Sequence, residues 1–284
     1  MPSGYDPAAV TRRTVTAHYG RHGDVCARIR DALPAVGGDP DRPTFDALHR
    51  LDQFHIGGPS ATRELAEAAG LRGGAVLDLG CGVGGPARML AQEYGCTVTG
   101  VDLTESSCAS ARTLSAWVGL DARTRFVCAS VDALPFASGT WPWAWSQHAI
   151  MTIPDTPRMY AEIARVLRPG GVFVHHDVVA GRGGAPFFPV PWASEPAGSY
   201  LQPPQALRDQ MEAAGLVCRA WTDLTEAVRE RTAQKEAARA AGTPEAPGPH
   251  LVQGPGFDAM RANLARNLRE WRVGVVRGVW VRPA

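Results

Sequence analysis

The chain has 284 residues, 45% of them hydrophobic, so it can bury a large core without disulfides or metal ions. Its formal net charge of +1 gives no field that would favour nucleic acid or an anionic membrane as a partner. The six cysteines lack metal-ligand spacing, and no stretch approaches the roughly 20 apolar residues of a membrane span. We therefore expect a cytoplasmic protein with reduced cysteines and no bound metal.

The N-terminal part, residues 1–70, is predicted to form a helical lid. Apolar residues recur at helical spacing over 7–33, and a second helical stretch covers 59–69. The Pro/Gly-rich stretch 34–45 between them is predicted to be a loop.

From residue 71 onward, short apolar runs alternate with helical segments of about ten residues. The runs are AVLDLG, CTVTGVDL, TRFVCAS, WAWSQHAI and GGVFVHHDVV, and a further strand, VGVVRGVWV, closes the chain. This alternation is typical of βαβ crossovers and a parallel sheet covered on both faces. We expect a Rossmann-like, doubly wound α/β core over 71–284, with a mostly parallel seven-stranded sheet.

Two insertions are predicted to cap this core, at 181–204 and 224–256. The first is rich in Gly and Pro but also aromatic, with Trp192 in its middle. A long aromatic loop inside a compact domain is usually a lid or a binding loop.

A glycine-rich turn follows the first predicted strand, at Gly80, Gly82 and Gly84. Glycines let the backbone turn tightly and approach a ligand closely, but this signal alone is shared with dinucleotide-binding proteins. Asp102 ends the next strand, where a carboxylate can accept both hydroxyls of a ribose. Asp132 ends the third strand, where it could accept from the amine of an adenine. Together these residues predict a crevice for an adenosine.

The segments VLDLGCGVGG, GVDL, SVDALPF, the WSQ strand and LRPGG resemble the successive motifs of class I S-adenosylmethionine-dependent methyltransferases. The resemblance implies that the turn from Gly80 to Gly84 lines the methionine part of S-adenosylmethionine, Asp102 the ribose and Asp132 the adenine. It also places four further residues of these motifs in the cofactor site: Asp78, Leu103, Ala133 and Gln147.

The flanking segments LDQFHIGG, FPVPWA and NLARNLREWRVGVVRGVW resemble the subgroup of sarcosine and dimethylglycine N-methyltransferases, near which several natural-product methyltransferases lie. The subgroup usually has an acidic residue where this chain has His148, and often a histidine at the position of Met151. Both departures weaken the expectation of amino-acid N-methylation, because an imidazole suits a cationic amine less well than a carboxylate does.

Candidate catalytic groups are expected after strands four and five, beside the sulfonium. We assign this role to His148, His176 and Asp177, which end those strands. His55, in the FHIGG turn, and Tyr19, in a predicted lid helix, are expected to cover the cofactor and the methyl group. Tyr19 is thus a candidate for both the catalytic and the cofactor site.

Imidazole bases and aromatic walls predict an aromatic or indole-like small-molecule acceptor, methylated on carbon or nitrogen. Two alternatives remain open: N-methylation of a small aliphatic amine or amino acid, and cofactor binding without methyl transfer. A nicotinamide oxidoreductase is disfavoured by the short glycine turn and by the absence of a Tyr-x-x-x-Lys pair. The near-neutral charge argues against a nucleic-acid substrate. The sequence leaves the acceptor atom and the oligomeric state, including a homodimer, undecided.

Overall fold

The computed structural model describes residues 24–254 and 256–284, and within them seven strands form one sheet in the order β3-β2-β1-β4-β5-β7-β6. The strands are β1 (Gly74–Leu79), β2 (Cys96–Asp102), β3 (Thr124–Cys128), β4 (Trp141–Gln147), β5 (Leu167–Ala180), β6 (Val217–Asp223) and β7 (Val273–Val281). Neighbouring strands from β3 to β5 pair in parallel, whereas β7 runs antiparallel to β5 and β6. The predicted Rossmann-like, mostly parallel sheet is confirmed.

Helices connect these strands and cover both faces of the sheet. They are α1 (Val25–Ala32), α2 (Phe45–Leu48), α3 (Gly58–Ala69), α4 (Gly85–Tyr94), α5 (Glu105–Trp117), α6 (Thr156–Val166), α7 (Pro204–Ala213), α8 (Thr225–Ala240) and α9 (Phe257–Arg269). Within the described ranges, no helix combines the length and the apolar character needed to cross a membrane.

Side chains on both faces of the central strands are buried. Val76 and Leu77, neighbours on β1, point to opposite faces, and both are fully buried. Leu77 belongs to the core that includes Tyr160 of α6, and Val76 to the core that includes Leu90 of α4. This double burial explains why the strands are almost continuous apolar runs in the sequence.

Local sequence signals set several helix ends. Asp155 precedes α6 and its carboxylate accepts the backbone N–H of Arg158 at 3.1 Å, which satisfies one of the free donors of the first turn. Asp24 caps α1 in the same way, through the N–H of Ala27. Gly70 ends α3 in the left-handed conformation that favours glycine.

Two strands differ from their predicted bounds. β5 begins at Leu167, where it pairs with Trp141, whereas the predicted run GGVFVHHDVV begins at Gly170. β3 ends at Cys128, so Asp132 lies in the following turn and not on the strand itself. Strand patterns are short, and pairing with neighbours rather than local composition decides where they stop.

The segment before β1 packs over the glycine turn. Ile29 of α1 and Leu48 of α2 share a buried cluster with Val83 of the turn and Leu114 of α5. This part of the chain therefore packs against the glycine turn and α5. The division into a lid at 1–70 and a core at 71–284 remains our interpretation.

Candidate active site

A cavity of about 240 Å³ lies at the carboxyl ends of β1, β2 and β4. The glycine turn, the turn after β3 and the segment 52–55 border it, and the loops at 151–154, 191–192 and 252–253 complete its walls. Ligands of doubly wound sheets bind at this edge, because the carboxyl ends of the parallel strands converge there. The cavity brings together nine of the predicted site residues: His55, Asp78, Gly80, Gly82, Asp102, Leu103, Asp132, Gln147 and His148.

The glycine turn depends on conformations and space that other residues lack. The backbone N–H of Gly80 donates to Val101 O at 2.8 Å, which ties the turn to the end of β2. Gly80 has a φ of 71°, and a Cβ there would overlap the side chain of Ala149. Gly84 precedes α4 with a φ of 79° but does not line the cavity. Gly84 thus turns the chain into α4, and its predicted contact with the cofactor stays a prediction.

Asp102 holds the turn in place from the neighbouring strand. Its carboxylate accepts the backbone N–H of Gly82 and that of Thr104, both at 2.9 Å. Burial raises the pKa of Asp102, and these backbone hydrogen bonds oppose the shift. Each carboxylate oxygen can accept a second hydrogen bond, so Asp102 can also bind a ligand hydroxyl.

Asp78 is a buried acid on β1 beside Asp102. Its Oδ2 is buried and has no hydrogen-bond partner among the described residues. Burial, followed by the negative charge of Asp102, raises the pKa of Asp78 to about 7. A cationic group in the cavity would satisfy this oxygen and favour its ionised form.

Asp132 lies in the turn that follows β3. Its Oδ1 is buried, and no donor in the described part of the chain reaches it, while its backbone carbonyl accepts from Arg158 at 2.9 Å. Leu103 lines the cavity on the same side. Ala133 does not line it, although the sequence placed it in the cofactor site; its N–H closes the turn on Ser130 O.

Three histidines from separate segments meet at the other side of the cavity. The ring centroids of His148 and His176 are 5.0 Å apart, and the His55 ring lies 6.1 and 6.3 Å from them. His148 directly follows β4, has a φ of 54°, and donates its backbone N–H to His176 O at 2.9 Å. A left-handed conformation at a residue other than glycine is uncommon and points to a constrained site.

All three histidines favour the neutral form at pH 7. Burial lowers the pKa of His55 to about 4 and that of His176 to about 3. Burial, with the neighbouring His176 and His55, lowers the pKa of His148 well below its usual value. His148 Nε2 is buried and accepts no hydrogen bond from the described residues. A neutral imidazole with a free nitrogen can accept a proton.

A hydrogen-bond chain fixes the His55 ring and connects it to β4. Thr62 Oγ1 donates to Gln147 Oε1 at 3.1 Å, and His55 Nε2 lies 3.1 Å from the same Thr62 oxygen and 2.9 Å from Gly58 O. His55 must therefore carry its proton on Nε2. Trp145 Nε1 also donates to Gln147 Oε1, at 3.0 Å. The buried Nε2 of Gln147 has no partner within the described ranges and remains free to donate to a ligand.

Asp177 and His176 lie behind the cavity wall, whereas the sequence placed both among the catalytic groups. Asp177 is fully buried, and its Oδ1 accepts the backbone N–H groups of Ala149 and Ile150, both at 3.0 Å. Its Oδ2 lies 3.5 Å from His175 Nδ1. Asp177 therefore fixes the backbone that follows His148 and does not itself reach a substrate in the cavity.

The inserted loop at 181–204 contributes Trp192 to the lining of the cavity. Trp192 is buried, donates from Nε1 to Ser199 Oγ at 2.9 Å, and packs in one cluster with Met151. Phe187 instead lies against the guanidinium groups of Arg266 and Arg272, away from the cavity. Trp192 is therefore the aromatic residue of this loop that lines the cavity.

A buried ion pair beside the glycine turn was not predicted. Arg88 Nη2 lies 2.8 Å from Asp52 Oδ2 and donates to Val83 O at 2.7 Å. Both side chains are almost fully buried. Arg88 lies on a helix, where arginines are usually exposed, so its sequence context gives no signal of this role. Tyr19 lies outside the described residues, and its predicted role stays a prediction.

No group of three or more His, Cys, Asp or Glu side chains that could hold a metal ion occurs in residues 24–254 and 256–284. The cysteines described there, all six of the chain, are free.

The central part of the chain, which contributes much of this site, is similar to known proteins. Residues 77–175 match the family model described as a methyltransferase domain. The sarcosine/dimethylglycine N-methyltransferase of Halorhodospira halochloris is 38% identical over 102 residues, which make up 36% of this chain and 37% of that protein. This chain matches only 29 to 47% of the length of the first curated relatives.

Two solved structures have the same fold over most of the chain. The [4+2]-cyclase SpnF is 26% identical, with a TM-score of 0.62 over 79% of this chain and 80% of that one. The geranyl diphosphate C-methyltransferase of Streptomyces coelicolor A3(2) is 18% identical, with a TM-score of 0.71 over 98% and 100%. Residues 77–175 are therefore a methyltransferase domain, in a chain that resembles class I, S-adenosylmethionine-dependent methyltransferases throughout its Rossmann-like fold.

Proposed function

We propose that this protein binds S-adenosylmethionine and transfers its methyl group to a small organic acceptor. One observation carries the proposal: a single cavity is lined by the glycine turn, by Asp102 and by His148. Cofactor-binding groups and a proton acceptor thus face the same space.

The order of the strands across the sheet matches the order of the parts of the cofactor: adenine, ribose and methionine. The strands β3, β2, β1 and β4 follow one another across the sheet, about 4.8 Å apart. Asp132 after β3 would accept from the adenine amine, Asp102 after β2 would bind the ribose, and the glycine turn after β1 would hold the methionine part. Asp132 Oδ1 and Asp78 Oδ2 have no hydrogen-bond partner among residues 24–254 and 256–284, and they support this placement because a bound ligand would satisfy them.

When bound, the cofactor supplies an electrophilic methyl group for an in-line displacement. The chain then has to place the acceptor atom in line with that methyl group and to exclude water. His148 follows β4, next to the methionine position, and we assign it the proton released by the acceptor. His55 and His176 surround it, and Asp177 holds the backbone that orients it. Tyr19 remains a candidate for closing the site.

The acceptor side of the cavity favours a neutral, aromatic or indole-like molecule. Trp192 and Met151 provide an apolar wall, and the three histidines are neutral at pH 7. Asp177, whose Oδ1 accepts two backbone N–H groups after His148, does not line the cavity. A permanently cationic acceptor would therefore meet no cavity-lining carboxylate from β5 in the described part of the chain.

Two other functions retain support. The similarity to a sarcosine/dimethylglycine N-methyltransferase favours a small aliphatic amine or amino acid as acceptor. The similarity to a [4+2]-cyclase favours a protein that binds the cofactor without methyl transfer. Under each of these functions, we expect a cytoplasmic protein that does not act on nucleic acid.

The test is to incubate the purified protein with S-adenosylmethionine and three acceptor panels: indoles, phenols and small aliphatic amines. Formation of S-adenosylhomocysteine, measured by mass spectrometry together with the methylated product, would support methyl transfer. Turnover of aliphatic amines alone would replace the aromatic acceptor with the amine alternative. Calorimetric binding of S-adenosylmethionine without turnover of any panel would favour cofactor binding alone. Absence of binding would refute the proposal.

A further inference from the structure

His175 is a fully buried imidazole of β5, on the opposite face of the strand from His176. The indole Nε1 of Trp280, on β7, donates to His175 Nε2 at 3.4 Å. Gly278, opposite His175 on β7, leaves room for this contact, because a Cβ there would overlap the imidazole. An indole N–H can only donate, so Nε2 must carry a lone pair. The neutral ring of His175 therefore carries its proton on Nδ1.

This Nδ1 proton faces the carboxylate of Asp177. His175 Nδ1 lies 3.5 Å from Asp177 Oδ2, and both side chains are fully buried. Burial raises the pKa of Asp177, and the contact with His175 is the largest effect that opposes the rise. His175 therefore favours the ionised carboxylate, in which both oxygens are acceptors.

The other oxygen of Asp177 leads to the active site. Oδ1 accepts the backbone N–H groups of the two residues that follow His148, both at 3.0 Å. A line of donors and acceptors thus runs from Trp280 on β7, across β5, to the backbone beside His148. Every donor in this line has one acceptor, and the line depends on the tautomer of a single imidazole.

We infer that His175 is a positioning residue, which holds the Asp177 carboxylate in the orientation that fixes the backbone at His148. The inference rests on the proposed function, in which His148 takes up the proton of the acceptor. His175 does not line the cavity, so it acts through Asp177 and touches neither ligand.

Tyr160 of α6 is the competing candidate for the same carboxylate. Its hydroxyl is buried and has no hydrogen-bond partner within the described ranges. Burial and then the negative charge of Asp177 raise the pKa of Tyr160. Variants of His175 and of Tyr160 therefore have to be compared.

Nitrogen NMR spectroscopy of the histidine side chains tests the tautomer without turnover. In the wild-type protein, His175 should carry its proton on Nδ1. Trp280→Phe removes the indole donor but keeps an aromatic ring, and it should move His175 toward the Nε2–H tautomer. Trp221→Phe is the matched control and should leave the tautomer unchanged, since Trp221 packs on the same imidazole at 5.5 Å between ring centroids. A wild-type His175 protonated on Nε2, or on both nitrogens, would overturn the inference.

Steady-state kinetics test the positioning role. His175→Leu should lower kcat roughly 3- to 10-fold, the range for one hydrogen bond. Because the cavity lining is intact, KM for the acceptor and the affinity for S-adenosylhomocysteine should change less than about twofold. His175→Asn places an amide N–H near the position of Nδ1 and should recover most of kcat. Urea unfolding shows whether each variant is folded, and Trp280→Phe against Trp221→Phe gives the same comparison if His175→Leu is not.

Two kinetic results would overturn the inference while the proposed function stands. One is an equal loss of kcat in His175→Leu and His175→Asn. The other is a loss of kcat in Tyr160→Phe with none in His175→Leu, which would assign the positioning role to Tyr160. If the wild-type protein turns over no acceptor, the proposed function fails, and the role of His175 fails with it, whatever the tautomer.

Discussion

The backbone N–H of His148 donates to the carbonyl oxygen of His176 at 2.9 Å, just beyond the last residue of β4. This bond, with the two that Asp177 accepts from Ala149 and Ile150, holds His148 at a φ of 54°. Three hydrogen bonds to β5 thus fix a conformation that a free chain would rarely adopt. The neighbouring strand β5 therefore holds the backbone that positions the His148 imidazole at the cavity.

Substitution of His148 should separate chemistry from cofactor binding. We expect His148→Ala to lower kcat about 100-fold, as for loss of a general base, and to change the affinity for S-adenosylhomocysteine less than threefold. Steady-state kinetics and calorimetry measure the two effects. His148→Asn, which tolerates the left-handed conformation, distinguishes the loss of the base from backbone strain.

His250→Ala serves as the control for this pair, since His250 lies outside the cavity. Unchanged kcat in both His148 variants would remove His148 from the chemistry.

Loss of the Asp102 carboxylate should weaken cofactor binding. Asp102→Ala removes the proposed ribose contact and also the acceptor for Gly82 N–H, so we expect a loss of roughly 1–3 kcal/mol in binding free energy. Isothermal titration with S-adenosylhomocysteine measures it. Asp102→Asn keeps one oxygen and should lose less. An affinity equal to that of the wild-type protein would exclude Asp102 from the site.

Asp177 should affect stability more strongly than a catalytic residue at the surface of a cavity would. Asp177→Ala leaves two buried backbone N–H groups without their acceptor, which we expect to lower the free energy of unfolding by roughly 2–4 kcal/mol. Asp177→Asn retains an acceptor oxygen and should cost less and preserve most activity. Urea unfolding measures the first effect and kcat the second.

If Asp177 were instead a proton acceptor in the reaction, Asp177→Asn would abolish turnover while leaving the urea midpoint nearly unchanged.

The buried histidines should weaken the fold at acidic pH. The pKa of His55 is about 4 in the folded protein, and its ordinary value is 6.5, so the unfolded chain takes up a proton first as the pH falls. The contribution of His55 to the free energy of unfolding is complete above pH 6.5 and declines as the pH falls toward 4. The decline is roughly 1.4 kcal/mol for each pH unit in that window.

Urea unfolding of the wild-type protein and of His55→Asn at several pH values from 4.5 to 7.5 measures this contribution. The difference between their free energies of unfolding should be constant above pH 6.5 and should change at lower pH, to the relative advantage of the variant. Parallel curves over the whole range would contradict a buried, neutral His55.

The sequence predicted a large part of the cavity lining because that part is contiguous and periodic. Asp78, Gly80 and Gly82 lie within one strand and its following turn, and Asp102 ends the next strand. Parallel strands bring their carboxyl ends to one edge, so alternation of strands and helices was enough to place these residues together. The seven-stranded sheet followed from the same pattern.

Side-chain direction and distant pairing could not be predicted in this way. His176 and Asp177 lie on β5, which continues to Ala180 instead of ending at them, and both lie behind the cavity wall, because register with β4 and β7 decides what each residue faces. The ion pair of Arg88 with Asp52 joins residues 36 positions apart, and Arg28 reaches Val252 from the other end of the chain.

The sequence by itself thus determined the sheet, the glycine turn and the acids at the strand ends, since hydrophobic periodicity and turn chemistry are local properties. Only the tertiary structure decided which histidines border the cavity and which of the described acids keep an oxygen without a partner within it. Burial and hydrogen-bond partners are set by segments that are remote along the chain, and these set the pKa of each group and its freedom to bind a ligand.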